Sequence, residues 1–523
     1  MQRRQFLFSG LAAAAAPAVR PNIVLILADD MGFSDVGCYG SEIETPNIDA
    51  LARRGVRFTQ FYNAARCCPT RASLLTGRYP HQAGVGHMVE DWQKPGYRGS
   101  LNPECRTLAQ VLTGAGYRST MAGKWHVCPA SEKHRQNWPL QRGFARFFGS
   151  MAGGGNYFKP GPLMDGNQNV GLLDGYYTDM LGEWSAKFIR ESAASGQPFF
   201  HYAAFTAPHW PLQAPAEEVR RFEERYRKGW DAIRQARHER QVKMGLIDPK
   251  WKLAPRDPAV LEWAAEQDKD WQASRMAVHA AMVSSLDRNV GRIVDAVGQA
   301  GQLDNTLFLF LSDNGASAEI LKERRAGVWT PEANKPGGNV RGVSPGPAWS
   351  YASYGPDWAH VSNTPFRRHK MWVHEGGIST PLIAAWGKRL KGGALQRETG
   401  HIIDVMPTVA EVAGAAAPAG GEGSSLLPLM QGQRRTLHES LGWEHEGNRA
   451  VRAGDWKLVA ERGKPWELYN LKEDRTETRD LAASESARVK EMTERYQGWA
   501  QRCQVEPWET VRPARSGANA AAD

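Results

Sequence analysis

The stretch Asn22-Ile23-Val24-Leu25-Ile26-Leu27, followed by Asp29-Asp30, decides the architecture of this chain. Its apolar residues run on without polar alternation, so a strand formed there must be covered on both faces. That is the condition of a parallel strand inside an α/β sheet. Thr306-Leu307-Phe308-Leu309-Phe310-Leu311 repeats the pattern, and Pro198-Phe199-Phe200-His201-Tyr202-Ala203 reads as a third such strand. Helices fall between them. One spans 46–54, with Pro46 near its start and Thr45 or Asn47 as cap; another spans 105–115. A long helix over 271–299 carries Met276, Ala280, Val283, Leu286, Val290, Ile293 and Val297 at helical spacing, a core stripe rather than a site. The fold class is therefore α/β, with a large, mostly parallel sheet sandwiched by helices.

Beyond the small-residue linker Ala415 to Ser424 the pattern changes. Short alternating runs at 440–445, 449–451, 455–459 and 466–469, punctuated by Asn448 and Gly454, predict an antiparallel sheet closed by a helix over 484–502. The expected division is a leader over 1–18, a catalytic domain over 19–414, a C-terminal α+β subdomain over 425–510 and a disordered tail over 511–523. Residues 215–265 read as a solvated helix followed by a Pro-punctuated loop. Residues 325–362, rich in Gly, Pro and Trp, read as a long ordered loop walling a pocket.

Bulk properties narrow the function. The 523 residues, 41% hydrophobic and 23% charged, can bury a large core. The net charge of +9 suits an anionic substrate, but no basic stripe interleaves with aromatics, which argues against nucleic acid. Arg3-Arg4-Gln5-Phe6-Leu7-Phe8, the apolar stretch Gly10 to Ala16 and a small-residue exit to Ala18 read as an export signal of the twin-arginine type. The expected location is the periplasm of a bacterium, or the medium. About a dozen apolar residues are too few to span a bilayer, and no later run is long enough, so no stable membrane insertion is expected. The six cysteines (38, 67, 68, 105, 128, 503) invite disulfides, but adjacent Cys67 and Cys68 are an awkward start for two bridges, and the core needs no staples.

The chemistry should lie beyond the carboxyl ends of the strands, where ligands bind in open α/β sheets. The first strand ends in Asp29-Asp30 and the strand at 306–311 in Asp313-Asn314-Gly315. Three carboxylates and an amide oxygen in one crevice would repel one another without a cation, and hard oxygen donors select Ca²⁺ or Mg²⁺ over zinc. The plainer reading is that one pair caps a helix while the other turns a loop. Other strands lead into Lys124-Trp125-His126 and Pro208-His209-Trp210-Pro211, and Lys370 precedes His374-Glu375-Gly376-Gly377. Such bases beside a cation suit a tetrahedral oxyanion.

In this setting Cys67-Cys68-Pro69-Thr70-Arg71, continuing Ala72-Ser73-Leu74-Leu75-Thr76-Gly77-Arg78, resembles the C-x-P-x-R core of the type I sulfatase signature, in the alkaline phosphatase superfamily. Asp29-Asp30, Gly123-Lys124-Trp125-His126, Ala207-Pro208-His209, Asp313-Asn314-Gly315 and Lys370 follow the family's order. The resemblance implies that a separate maturation enzyme converts Cys67 to formylglycine (3-oxoalanine), whose hydrate is the nucleophile, while Cys68 stays a thiol. A thiolate attacking sulfate would leave an adduct with no easy exit, whereas a geminal diol has a second hydroxyl to expel sulfate. It implies further that Asp29, Asp30, Asp313, Asn314 and the converted Cys67 bind one divalent cation, Ca²⁺ ahead of Mg²⁺. Asp313 also accepts the diol proton, Arg71 and Lys124 orient the nucleophile, and His126 takes the second hydroxyl's proton. His209 and Lys370 face the leaving oxygen, with His369, His374 and Trp210 as neighbours. The implied substrate is an aryl or carbohydrate sulfate ester. The alternatives are a phosphonate or phosphate monoester hydrolase on the same fold, and an inactive sulfated-glycan binder.

Overall fold

The structure, a computed structural model, describes residues 20–322 and 338–512. The expected leader, residues 325–337 of the Gly/Pro/Trp-rich stretch and the tail from 513 lie outside the described residues.

Sixteen strands are formed among the described residues. In chain order they are β1 (Asn22–Ala28), β2 (Gly55–Phe58), β3 (Phe61–Tyr62), β4 (Arg118–Gly123), β5 (Arg146–Ser150), β6 (Leu163–Asp165), β7 (Gln168–Gly171) and β8 (Phe199–Ala204), then β9 (Thr306–Ser312), β10 (Leu382–Ala385), β11 (Ala394–Gln396), β12 (Gly400–His401), β13 (Leu441–His445), β14 (Asn448–Ala453), β15 (Trp456–Ala460) and β16 (Glu467–Asn470). Ten of them make one sheet in the order β11-β2-β10-β9-β1-β8-β4-β5-β6-β7. The five at its centre, β9-β1-β8-β4-β5, pair in parallel, whereas β10 and β6 join antiparallel at either side.

Strand β1 shows why its sequence had to be continuously apolar. Val24, Ile26 and Ala28 face the long helix Lys269–Gln299 and the helix Tyr177–Ala194, while Ile23, Leu25 and Leu27 face the helices Cys67–Thr76, Leu108–Gly114 and Val405–Val412. Every residue of the strand is buried. The expected stripe on the long helix, Met276 through Val297, is wholly buried. The second helix starts at Leu108 rather than 105, because Thr107 and Gln110 cap it reciprocally.

Two expectations need correction. The helix Trp230–Lys243 is not solvated: Trp230, Ile233, Arg234, Arg237 and Gln241 are buried on it. Its charged composition misleads because Arg237 is neutralised in the interior, 2.8 Å from Asp35 and 2.7 Å from Glu42. The stretch 325–362 is not all loop, since Gly355–Ser362 forms a helix that buries Trp358. Elsewhere no disulfide forms, and all six cysteines are buried thiols. No described helix is long and apolar enough to cross a membrane.

The antiparallel sheet β13-β14-β15-β16 carries the helix Ser486–Cys503, and its inner face shares a core with the larger sheet's surroundings. Tyr62, Tyr79, Val373 and Ile403 pack there with Trp443, Val459 and Trp499. A fully buried ion network locks this joint. Glu375 binds Arg475 at 3.0 Å and Lys457 at 2.9 Å, and Lys457 also binds Glu477 at 2.8 Å. Removing one partner of such a network strands a charge in the interior. Arg475→Ala should therefore lower unfolding stability by roughly 3–5 kcal/mol. Arg502→Ala, which breaks a half-exposed pair with Glu422, should cost less than about 1 kcal/mol, both read from urea midpoints.

Candidate active site

Because β1 and β9 pair in register, with Ala28 opposite Ser312, the residues that follow them emerge side by side. Asp29, Asp30, Asp313 and Asn314 are all buried. Each carboxylate has one oxygen held by a cation. Lys124 Nζ lies 2.5 Å from Asp29 Oδ2, Lys370 Nζ 3.0 Å from Asp30 Oδ2, and Arg71 Nη2 2.8 Å from Asp313 Oδ2. Asn314 Nδ2 donates to Asp30 Oδ1 at 2.7 Å, and the Asp30 amide donates to Asp313 Oδ1. Asp29 Oδ1 and Asn314 Oδ1 remain, buried and without a hydrogen-bond partner.

These two orphaned acceptors test whether a cation fits. Buried polar atoms of native proteins are almost always satisfied, so acceptors converging beside acids call for a positive group. Burial lifts Asp29 to about 6 and, helped by the Asp29 charge, Asp313 to about 8. The acids are thus frustrated as protein groups alone, and three side-chain cations offset three carboxylates with no surplus to hold an anion. A hard divalent cation on oxygen donors fits both deficits.

Cys67 opens the helix Cys67–Thr76, and Arg71, one turn later, shares its face. Arg71 Nη1 also donates to the Lys124 carbonyl at 2.9 Å, tying this helix to the end of β4. Cys67 Sγ lies 3.6 Å from His126 Nδ1. The Cys68 thiol hydrogen-bonded to Cys67, with Lys124 and His126, holds the Cys67 thiol well below the ordinary range, while burial pushes Cys68 well above it. Burial also holds His126 down at about 4, a neutral imidazole near pH 7. Asp30 and His126 take left-handed backbone, φ 62° and 52°, a strained conformation common at functional sites.

On the Asp30 side His209 Nε2 approaches Asp30 Oδ2 at 3.5 Å. The Nδ1 of His209 is bound to the Trp210 carbonyl at 2.6 Å, which leaves Nε2 facing the cluster. Lys370 is joined by a residue that the sequence reading missed, Glu319, 3.0 Å from its Nζ. Glu319 also accepts from Trp210 Nε1 at 2.7 Å and lies 3.7 Å from Arg66. Burial opposes the charge on Lys370, but the Asp30 and Glu319 carboxylates outweigh it and keep the ammonium ionised. Nothing in the Ser317-Ala318-Glu319 segment marks Glu319 in one dimension.

A second missed feature was readable. Gly153-Gly154-Gly155 follows β5, another strand end, and a Cβ at Gly153 would lie 2.5 Å from His126 Cε1. The bare backbone is what lets that loop approach the imidazole. Trp210 lies beside His209 and His369 beside Lys370, whereas His374 pairs with Glu467 of β16 at 3.4 Å, on the joint with the small sheet.

The geometry can be set beside proteins already known. The family model described as Sulfatase matches residues 21–415, and that of the N-sulphoglucosamine sulphohydrolase C-terminal region matches 367–501. An arylsulfatase of Klebsiella aerogenes is 36% identical over 443 residues, covering 80% of this chain and 92% of its own. An uncharacterized sulfatase of Schizosaccharomyces pombe is 35% identical over 89% of this chain and 91% of its own. The crystal structure of Ps i-CgsB in complex with k-i-k-neocarrahexaose superposes with a TM-score of 0.70 at 26% identity, covering 94% of each chain. By these matches the chain belongs to the type I sulfatases of the alkaline phosphatase superfamily, the sulfuric ester hydrolases.

Proposed function

We propose that this protein hydrolyses an aryl or carbohydrate sulfate ester to an alcohol and inorganic sulfate, with Cys67, as formylglycine, supplying the nucleophile. The observation that carries the reading is the convergence, in one buried cluster, of Cys67 with Arg71, Lys124 and His126 beside Asp29, Asp30, Asp313 and Asn314. Conversion of Cys67 would supply a geminal diol, one hydroxyl to attack sulfur and another to release sulfate. A divalent cation, Ca²⁺ ahead of Mg²⁺, would be held by Asp29, Asp30, Asp313 and Asn314 and would supply charge neutralisation at the sulfate oxygens.

The side chains divide the remaining work. Arg71 and Lys124 fix the acids and keep positive charge against the nucleophile. His126, neutral and 3.6 Å from the Cys67 side chain, is suited to accept a proton. On the opposite side Lys370 and His209 face the position of the leaving oxygen, where Lys370 remains cationic and offsets its developing charge. Maturation by a formylglycine-generating enzyme, and export before action, complete the reading. A sulfated glycan is the second substrate class because Ps i-CgsB, similar over 94% of the chain, was crystallised with k-i-k-neocarrahexaose.

Five experiments test this. Cys67→Ala should abolish p-nitrophenyl sulfate turnover without moving the unfolding midpoint, and Cys68→Ala should leave most of it. Mass spectrometry of the peptide from matured enzyme should find the aldehyde at Cys67. Faster turnover of p-nitrophenyl phosphate than of the sulfate would overturn the reading in favour of a phosphatase. Chelation should remove activity that Ca²⁺ or Mg²⁺ restores; indifference to it would count against the acidic cluster as a cation site. Lys370→Ala should slow sulfate esters with poor alcohol leaving groups by about 10²–10⁴-fold, and nitrophenyl sulfate much less, read as the dependence of kcat on leaving-group pKa.

A further inference from the structure

The hairpin tip Trp443-Glu444-His445-Glu446-Gly447-Asn448 has no part in the reaction above, yet it carries an unexplained arrangement. Strands β13 and β14 pair His445 with Asn448, so Glu446 and Gly447 form a two-residue turn, both left-handed at φ 51° and 83°. Such turns favour Asn or Gly at the first place, and Glu there is strained. The turn aims the carboxylate inward. Glu446 Oε1 lies 2.9 Å from His87 Nε2 and 3.7 Å from His445 Nε2. His445 is fully buried, and neither of its ring nitrogens has a hydrogen-bond partner. A neutral imidazole carries one N–H and one lone pair, and leaving both unmet in the interior costs free energy that native structures rarely leave uncompensated.

We propose that His87, His445 and Glu446 form a second metal site, selective for a borderline-soft divalent ion of the Zn²⁺ class, beside Arg66 and apart from the oxygen-donor cluster. Their ligand atoms all lie within 4.8 Å of one another. A tetrahedral ion bound at about 2.0–2.1 Å sets its ligands about 3.3 Å apart, and the separations of 2.9 and 3.7 Å bracket that distance. Two imidazoles with one carboxylate are the donors preferred by Zn²⁺ and its neighbours, not by Ca²⁺. One outer partner is also present: Arg66 Nη1 binds Glu446 Oε1 at 3.1 Å, whereas the exposed Glu90 Oε2, 3.8 Å from His87 Nδ1, does not hydrogen-bond it. The two imidazole rings lie nearly parallel, 17° apart, with Trp508 against His87. Glu446 is partly exposed, which provides an entry path. An ion here pins the hairpin to the segment around His87 and fixes Arg66, the residue before Cys67.

The test uses the full, tag-free protein with Ca²⁺ saturating the oxygen-donor cluster, dialysed against Co²⁺ or Zn²⁺ alone. The expected result is one equivalent retained per chain, a visible tetrahedral Co²⁺ spectrum without thiolate bands, and a thermal midpoint raised by Zn²⁺. His87→Gln and Glu446→Gln, each checked for folding by circular dichroism, should weaken binding by at least about tenfold. Cys68→Ala should bind as the parent does. No retained metal, undiminished binding in both folded variants, or loss confined to Cys68→Ala would overturn the site. Sulfate ester turnover is measured separately, so failure here leaves the reading of the Cys67 centre standing.

Discussion

Packing three carboxylates, at Asp29, Asp30 and Asp313, into the interior at the ends of two neighbouring strands is the constraint on which the rest of this structure depends. Burial disfavours the charged forms of Asp29 and Asp313, and the neighbouring negative charge adds to the cost. Arg71, Lys124 and Lys370 answer one oxygen each, and they arrive from three different parts of the chain: the signature helix, the end of β4 and the segment before the small sheet. Each cation is thus a structural tie as well as a proposed site residue. What the side chains leave unmet, at Asp29 Oδ1 and Asn314 Oδ1, is where the proposed cation would sit.

Buried charge recurs as the means of joining other pieces. Arg237 ties an apparently solvated helix to Asp35 and Glu42, close behind the first acidic pair in sequence. Arg475 and Lys457 join the small sheet to Glu375, five residues after Lys370. Such pairs are poor sources of net stability, because desolvation offsets the attraction, but they are exacting in geometry. Their concentration around the strand ends suits a site whose groups must keep their separation through a catalytic cycle.

Much of the fold was readable from local pattern. The uninterrupted apolar runs of β1, β8 and β9 could only be strands covered on both faces, and the stripe from Met276 to Val297 could only be a buried helix face. The small sheet followed from alternation punctuated by turn residues. Where the reading erred, at 230–243 and 355–362, the cause was composition. Arg and Gln count as surface residues until a partner elsewhere in the chain neutralises them, and Gly and Pro suggest loop even where Trp358 seats a helix in the core.

The sequence by itself determined the strand ends, the signature Cys67-Cys68-Pro69-Thr70-Arg71 and the order of acids and bases, because strand periodicity and the rule for strand carboxyl ends act over a few residues. Only the tertiary structure decided which of these groups meet. It set Glu319 against Lys370, put Gly153 beneath His126, drew His374 away to Glu467, and gathered His87 with His445 and Glu446 across more than three hundred residues. Proximity between distant side chains arises from register, crossover and packing of whole layers, and no local pattern encodes it.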